Sequence, residues 1–279
     1  MKEIRVAYSD LYNAGDLMNV DIIEKVGNCK IKRSKTFCAD MIAIGGALVG
    51  LQYPNDSFKK RICYKILHPF YNNKPIYVWG SGFIYNNNSN TFYRNNLKVC
   101  ALRGAKSQKK LQELTGKYYD VPLADAGLLV DMLIEKIPQK EYKIGLIPHM
   151  WHQEEPEIKK MSTMDGVHVI DIKQTPQRVA YEIAKCETIL SSSLHGLIFA
   201  DSMHIPNMHF IGNKELLGGN FKYEDYYSSY GFNDEYIVLS ECIPTYNDII
   251  TKYRISKEVV ENKKIELIEN FPYELTKEE

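Results

Sequence analysis

Short apolar runs that stop at a glycine or a polar residue recur along this chain, separated by longer amphipathic stretches. In the first half IRVAYS (4–9), MIAIGG (41–46), PIYVWG (75–80) and KVCALR (98–103) read as buried strands. In the second half YKIGLIPH (142–149), VHVIDI (167–172), ETILSSS (187–193) and PNMHFIG (206–212) repeat the theme. Helices fall between and after them. AKSQKKLQELTG (105–116) ends at Gly116, and in TPQRVAYEIAKC (175–186) Thr175 caps while Pro176 takes the first turn. LHGLIFADSMH (194–204) reads as a buried helix, and the tail from about 245 to 275 as helical with a charged solvent side. Strands alternating with helices predict an α/β fold of parallel sheets covered on both faces. LIEKIPQK (133–140) is polar, holds Pro138 and precedes a fresh strand. It places a boundary between a Rossmann-like domain over 1–138 and a second over 139–279, whose last helix is free to pack back on the first domain. Two such halves facing a cleft is the expected architecture. NNNSN (86–90) reads as a solvated loop.

Composition narrows the classes of function. Thirty-five basic residues balance thirty-five acidic ones, so no global field recruits nucleic acid, although a local basic pocket stays open. The six cysteines show no C-x-x-C spacing and lie mostly in apolar or strand-like segments, which predicts buried free thiols in a reducing compartment. MKEIRVAYSD lacks an apolar signal core, and the longest apolar run, MIAIGGALVGL (41–51), is far short of the ~20 residues of a membrane helix. A cytoplasmic protein is expected, with room for peripheral membrane contact if its substrate is lipid-linked.

In open α/β sheets ligands bind beyond the carboxyl ends of the strands. Those ends carry Asn13 to Asp16, Gly45 and Gly46, Gly80 and Gly82, Arg103 with Gly104 and Ser107, His149, and Ser191 to His195. Glycines at such turns let backbone N–H groups approach an anion, and helix N-termini add partial positive charge. None of the spacings matches a dinucleotide fingerprint, a P-loop or a zinc motif. Arg103 is either a surface residue or a fork aimed at a carboxylate or phosphate. His195 either caps a helix or faces the cleft with a pKa suited to proton transfer. His149 and His152 have no third ligand spaced to complete a metal site, so none is expected. Asp125, in the apolar segment VPLADAGLLV, is a carboxylate that burial would make basic; Asp131 is a second. FKYEDYYSSYG (221–231) reads as a base- or sugar-stacking surface or as a packed amphipathic helix.

Taken in order, NAGD (13–16), GGAL (45–48), WGSGF (79–83), LRGAKS (102–107), ADAGLLV (124–130), SSSLHGLIFADSMHIPNM (191–208) and FKYEDYYSSYG (221–231) resemble the polysaccharide pyruvyl transferase family. The resemblance implies a GT-B-like fold, phosphoenolpyruvate as donor, no further cofactor, and a sugar or lipid-linked oligosaccharide as acceptor. The product would be a pyruvate ketal on a cell-surface glycan such as a capsule or exopolysaccharide. It implies that Arg103 and His195 are the catalytic positions. Asn13, Asp16, Gly45, Gly46, Gly80, Gly82, Ser107, Asp125, His149, Ser193 and Leu194 are then the expected substrate-binding set. Two departures stand out: the chain is shorter than many members, and IPH (147–149) replaces an arginine-containing segment of many relatives. Either His149 or a group from elsewhere must then meet the anion. Arg103→Ala and His195→Ala are expected to abolish transfer in a protein that stays folded. The rivals are a glycosyltransferase using a nucleotide sugar and a non-catalytic glycan- or anion-binding module.

Overall fold

The computed structural model describes residues 1–9, 13–52, 58–86 and 92–277. Within the helix Phe58–Tyr71 the described side chains are Lys59, Ile62, Cys63, Lys65, Ile66, Pro69 and Phe70. All of NNNSN but Asn86 therefore lies outside the described residues.

Among the described residues, β1 (Glu3–Ala7), β2 (Lys30–Arg33), β3 (Met41–Ile42), β4 (Ile76–Ser81) and β5 (Leu97–Leu102) form one sheet in the order β2-β1-β3-β4-β5. A second sheet holds β6 (Tyr142–Ile147), β7 (Val167–Val169), β8 (Cys186–Ser191), β9 (Asn207–Ile211) and β10 (Tyr236–Val238) in the order β7-β6-β8-β9-β10. Every pairing is parallel. The molecule is thus α/β with two five-stranded parallel sheets of the same topology. In this order the connections change direction between a sheet's first and third strands, which opens a crevice beyond their carboxyl ends. The two crevices lie after β1 and β3, and after β6 and β8.

The local reasons are conventional. β4 is buried at every position, as a central parallel strand covered on both faces must be. β2 (KIKR) escapes an apolar-run reading because it is a short, exposed edge strand. The helices are α1 (Ala14–Gly27), α2 (Phe58–Tyr71), α3 (Ala105–Thr115), α4 (Pro156–Ser162), α5 (Pro176–Ala184), α6 (Leu194–Ser202), α7 (Phe221–Ser228), α8 (Tyr246–Lys252) and α9 (Lys257–Glu269). α3 stops at Gly116, whose φ of +68° is the left-handed conformation glycine adopts without penalty. Thr175 caps α5 by accepting from the Arg178 N–H. VPLADAGLLV does not form a strand; Ala126–Leu133 is a 3-10 helix capped by Asp125 and packed under α6.

One apolar core draws on both halves, uniting Trp79, Leu128, Ile198, Phe199 and Leu267. The C-terminal helix joins them. The indole N–H of Trp79 donates to the Leu267 carbonyl at 2.8 Å, and Phe271 meets the Trp79 ring edge-on at 4.9 Å. That bond satisfies a carbonyl in the last turn of α9, where no intrahelical donor remains.

The cysteine expectation holds only in part. All six thiols are free, and Cys29 and Cys186 are buried, but Cys38, Cys63 and Cys242 are exposed. Cys38 and Cys242 lie in loops and Cys63 on the outer side of α2, positions that no core needs. Among the described residues no helix is long and apolar enough to cross a membrane.

Candidate active site

The two crevices meet. After β1, Asn13 caps α1 by accepting from the Gly15 N–H at 2.9 Å, and its amide donates to Asp16 at 2.7 Å. After β8, the Ser191 hydroxyl donates to the Ile147 and Ser193 carbonyls and accepts from the Ser193 N–H. That turn delivers His195 as the second residue of α6. The imidazole lies flat against Gly15: a Cβ added there would fall 1.8 Å from Nδ1. A Cβ at Gly45 would fall 3.5 Å from the ring's Cε1, 3.8 Å from Nε2 and 3.9 Å from Asp16 Oδ1. Gly45 has a φ of +84°, the backbone conformation that keeps it glycine. One point beside Gly45 is therefore within 4 Å of both the imidazole and a carboxyl group.

Arg103 is almost fully buried and approaches from the other side. Its Nε donates to Asp225 Oδ2 at 2.8 Å, and its Nη2 donates to the Phe83 carbonyl. Asp225 belongs to α7 and is itself fully buried. Its carboxylate also accepts from the Ser107 N–H and hydroxyl, each at 2.6 Å. Asp225 thus supplies from 118 residues away the cap that α3 lacks, since Gly104 at its N-cap has no side chain. Gly82 must be glycine for this pair to exist, because a Cβ would lie 2.7 Å from both the guanidinium and Asp225.

The electrostatics are one-sided. Burial, then the charges of Arg103 and Lys222, push the His195 pKa down to about 3. The imidazole is therefore neutral at neutral pH, and its buried Nε2 has no hydrogen-bond partner among the described residues. Burial lifts Asp16 to about 7, opposed by Lys222. Burial lowers Lys222 to about 8, helped by Arg103 and opposed by Asp16. His149 falls to about 3, through burial and then Lys222 and His152. Burial raises Asp125 to about 6 against the pull of Arg103 and of the Gly127 and Gly45 N–H groups. Lys222 acts on His195, Asp16 and His149 alike, and is half-buried with no ion pair or hydrogen bond among the described residues. Arg103 is already paired with Asp225, so Lys222 is the cation left to meet an anionic ligand.

The structure brings Asn13, Asp16, Gly45, Arg103, Asp125, His149 and His195 around this locus. It gives other expected residues different work. The Ser107 hydroxyl is spent on Asp225 and on the Phe83 N–H. Gly46 and Gly80 permit close packing: a Cβ at Gly46 would meet the Ile84 side chain at 2.1 Å, and one at Gly80 the Ala126 nitrogen at 2.5 Å. Ser193 and Leu194 are buried in the turn before His195, and the Ser193 side chain does not cap α6. The fork of Arg103 grips Asp225 and Phe83 rather than open space, because α7 arrives from the second half of the chain. Neutral His149 is no replacement for an arginine. His152 is held between the Ser192 hydroxyl and the Lys214 carbonyl, each at 2.8 Å. Among the described residues no three His, Cys, Asp or Glu side chains gather to hold a metal.

Lys222 and Asp225 are the residues that sequence reasoning missed. Both lie in FKYEDYYSSYG, where the tyrosines drew attention as stacking surfaces. In the structure Tyr223 and Tyr226 are buried, with Tyr223 donating to the Ser192 carbonyl and Tyr226 to Asp201. The signal was a lysine and an aspartate three residues apart on one helix that buries its aromatics.

The family model for polysaccharide pyruvyl transferases matches residues 6–215, a span that contains the end of β1, the Gly45 turn, Arg103 and His195. The chain belongs to the polysaccharide pyruvyl transferase family. An uncharacterized protein of Acanthamoeba polyphaga mimivirus is 29% identical over 285 residues, covering 96% of this chain and 90% of its own. The match ends at 215, so Lys222 and Asp225 lie just beyond the part of a pyruvyl transferase that the family pattern covers.

Two outcomes test this site. Arg103→Ala leaves the Asp225 carboxylate buried and unpaired, a cost of about 3–5 kcal/mol. Urea unfolding should therefore show a large loss of stability in Arg103→Ala, against the expectation of an undisturbed fold, and Arg103→Ala/Asp225→Ala should recover part of it. In the ligand-free protein the His195 ring resonances should not titrate between pH 5 and 8. Added phosphate or phosphoenolpyruvate should bring that titration up into the observable range.

Proposed function

We propose that this protein transfers the pyruvyl group of phosphoenolpyruvate onto two hydroxyls of a sugar in a cell-surface polysaccharide or its precursor. The observation that carries the reading is the buried, unpartnered imidazole of His195 in the field of Arg103 and Lys222. A small anionic donor offsets the charge of Lys222, while Asp225 already pairs Arg103. Site residues from the switch points of both sheets are what a GT-B-like arrangement would present, with donor and acceptor meeting between the two halves.

On this reading Lys222 neutralises the donor's phosphate or carboxylate, and Arg103, held rigid by Asp225, supplies fixed positive potential. His195 is neutral until the donor binds; the donor's charge then offsets that of Lys222 and the ring gains a proton. That proton passes to the donor's methylene carbon, making C2 electrophilic. A sugar hydroxyl attacks C2, the C2–O bond to phosphate breaks, and a second hydroxyl closes the ketal. Of the two hydroxyl protons released, one replaces the proton now on the methyl group and the other leaves on phosphate. Asp16, hydrogen-bonded to Asn13 and with a pKa of about 7, is placed to take a hydroxyl proton.

The test is incubation with phosphoenolpyruvate and a panel of glycans, following phosphate release and the mass of the product. Phosphate release coupled to ketal formation is the expected result. Turnover of a nucleotide sugar instead, or binding without turnover, overturns the reading. His195→Ala should cost roughly 100- to 10,000-fold in kcat/KM. Lys222→Met should cost roughly 100- to 1,000-fold, much of it in KM for the donor.

The pH dependence has a defined sign. Raising pH through about 7 puts a negative charge on Asp16, and through about 8 removes the positive charge of Lys222. Both changes disfavour an anionic donor, so the affinity for phosphoenolpyruvate, measured as Kd by calorimetry, should weaken as pH rises across this range. Asp16→Asn should remove the lower limb and leave the limb near 8 in place.

A further inference from the structure

We propose that the outer face of α2 docks on an anionic lipid bilayer. Ile62, Ile66 and Phe70 are 43%, 66% and 71% exposed. Spaced four residues apart, they form one stripe along the helix. Exposed Lys59 and Lys65 flank that stripe. The sequence of α2, FKKRICYKILHPFY, holds Lys59, Lys60, Arg61 and Lys65 and not one acidic residue. The chain as a whole balances thirty-five basic residues with thirty-five acidic ones, so this helix is a local excess of positive charge. A helix that merely faces water carries charges of both signs and hides its large apolar side chains. Here the bulky apolar groups point outward between cations, the pattern of a helix that lies in the plane of a membrane interface.

The charge chooses the occupant. Isoleucine and phenylalanine side chains can enter the boundary between headgroups and acyl chains while lysine stems extend to anionic headgroups beside them. A second copy of this chain fits worse, because a two-fold contact would set Lys59 and Lys65 of one copy near the same lysines of the other. α2 is also well placed. It is the crossover between the parallel strands β3 and β4, so it starts on the side of their carboxyl ends, where His195 lies. A bilayer against α2 would hold that end of the molecule close to a saccharide carried on a lipid. The docking itself stands whether or not the proposed donor chemistry does.

The experiment is co-sedimentation of the full chain with vesicles of equal parts phosphatidylglycerol and phosphatidylcholine, compared with vesicles of phosphatidylcholine alone. Binding should be roughly tenfold or more tighter to the anionic vesicles and should weaken as salt rises. Ile66→Glu/Phe70→Glu should reduce it by roughly tenfold or more, as should Lys59→Glu/Lys65→Glu, with circular dichroism and the urea midpoint unchanged. These positions are exposed, so the substitutions do not threaten the fold. Equal binding to both vesicle types, no binding by the unmodified protein, or binding indifferent to Ile66→Glu/Phe70→Glu overturns the proposal. So does a dimer, seen by light scattering, that the same pair of substitutions dissolves, because the stripe would then belong to a second copy.

Discussion

The ion pair between Arg103 and Asp225 is the constraint on which the site depends. Both groups are stripped of water, which is costly unless each finds its full set of partners. The guanidinium has the carboxylate and the Phe83 carbonyl, and the carboxylate has the Ser107 N–H and hydroxyl as well. The pair locks α7 onto the start of α3, so a helix from the second half becomes part of the first half's strand-end turn. Gly82 and Gly104 then follow as necessities, since a Cβ at Gly104 would lie 1.7 Å from the Asp225 carbonyl oxygen.

Fixing α7 also fixes Lys222, one turn before Asp225. The result is a small volume in which burial and the charges of Arg103 and Lys222 hold the imidazole of His195 neutral, with a carboxyl, Asp16, that burial makes reluctant to ionise. Such an arrangement keeps a titratable imidazole and a cation desolvated side by side. It is tolerated because the packing around it is rigid: His195 rests directly on Gly15, and the Ser191 turn that carries it is bonded to its neighbours in three places.

The sheet strands were largely legible in the sequence because buried parallel strands are continuous apolar runs. Residues 76–81, 97–102, 142–147, 186–191 and 207–211 all lie within or beside such runs. β2 (KIKR) was illegible for the complementary reason, being a short edge strand of mostly charged residues, while the brief apolar run YIVL (236–239) that forms β10 was passed over. Asp125 was read as a carboxylate in an apolar segment, and burial does lift it to about 6. Ser107 misled, because a serine at a strand-to-helix junction looks the same whether its hydroxyl meets a ligand or, as here, a buried aspartate from another helix.

By itself the sequence determined the alternation of strand and helix, the glycines at strand ends, and the histidine and arginine placed at two of those ends. These are local facts, encoded in the periodicity and stereochemistry of neighbouring residues. Only the tertiary structure decided that the Arg103 fork closes on Asp225, that His195 is neutral, and that Lys222 is the cation beside it. Those outcomes depend on burial and on charges more than a hundred residues apart in the chain. Desolvation and Coulombic fields depend on distance in space, and neither can be read along a sequence.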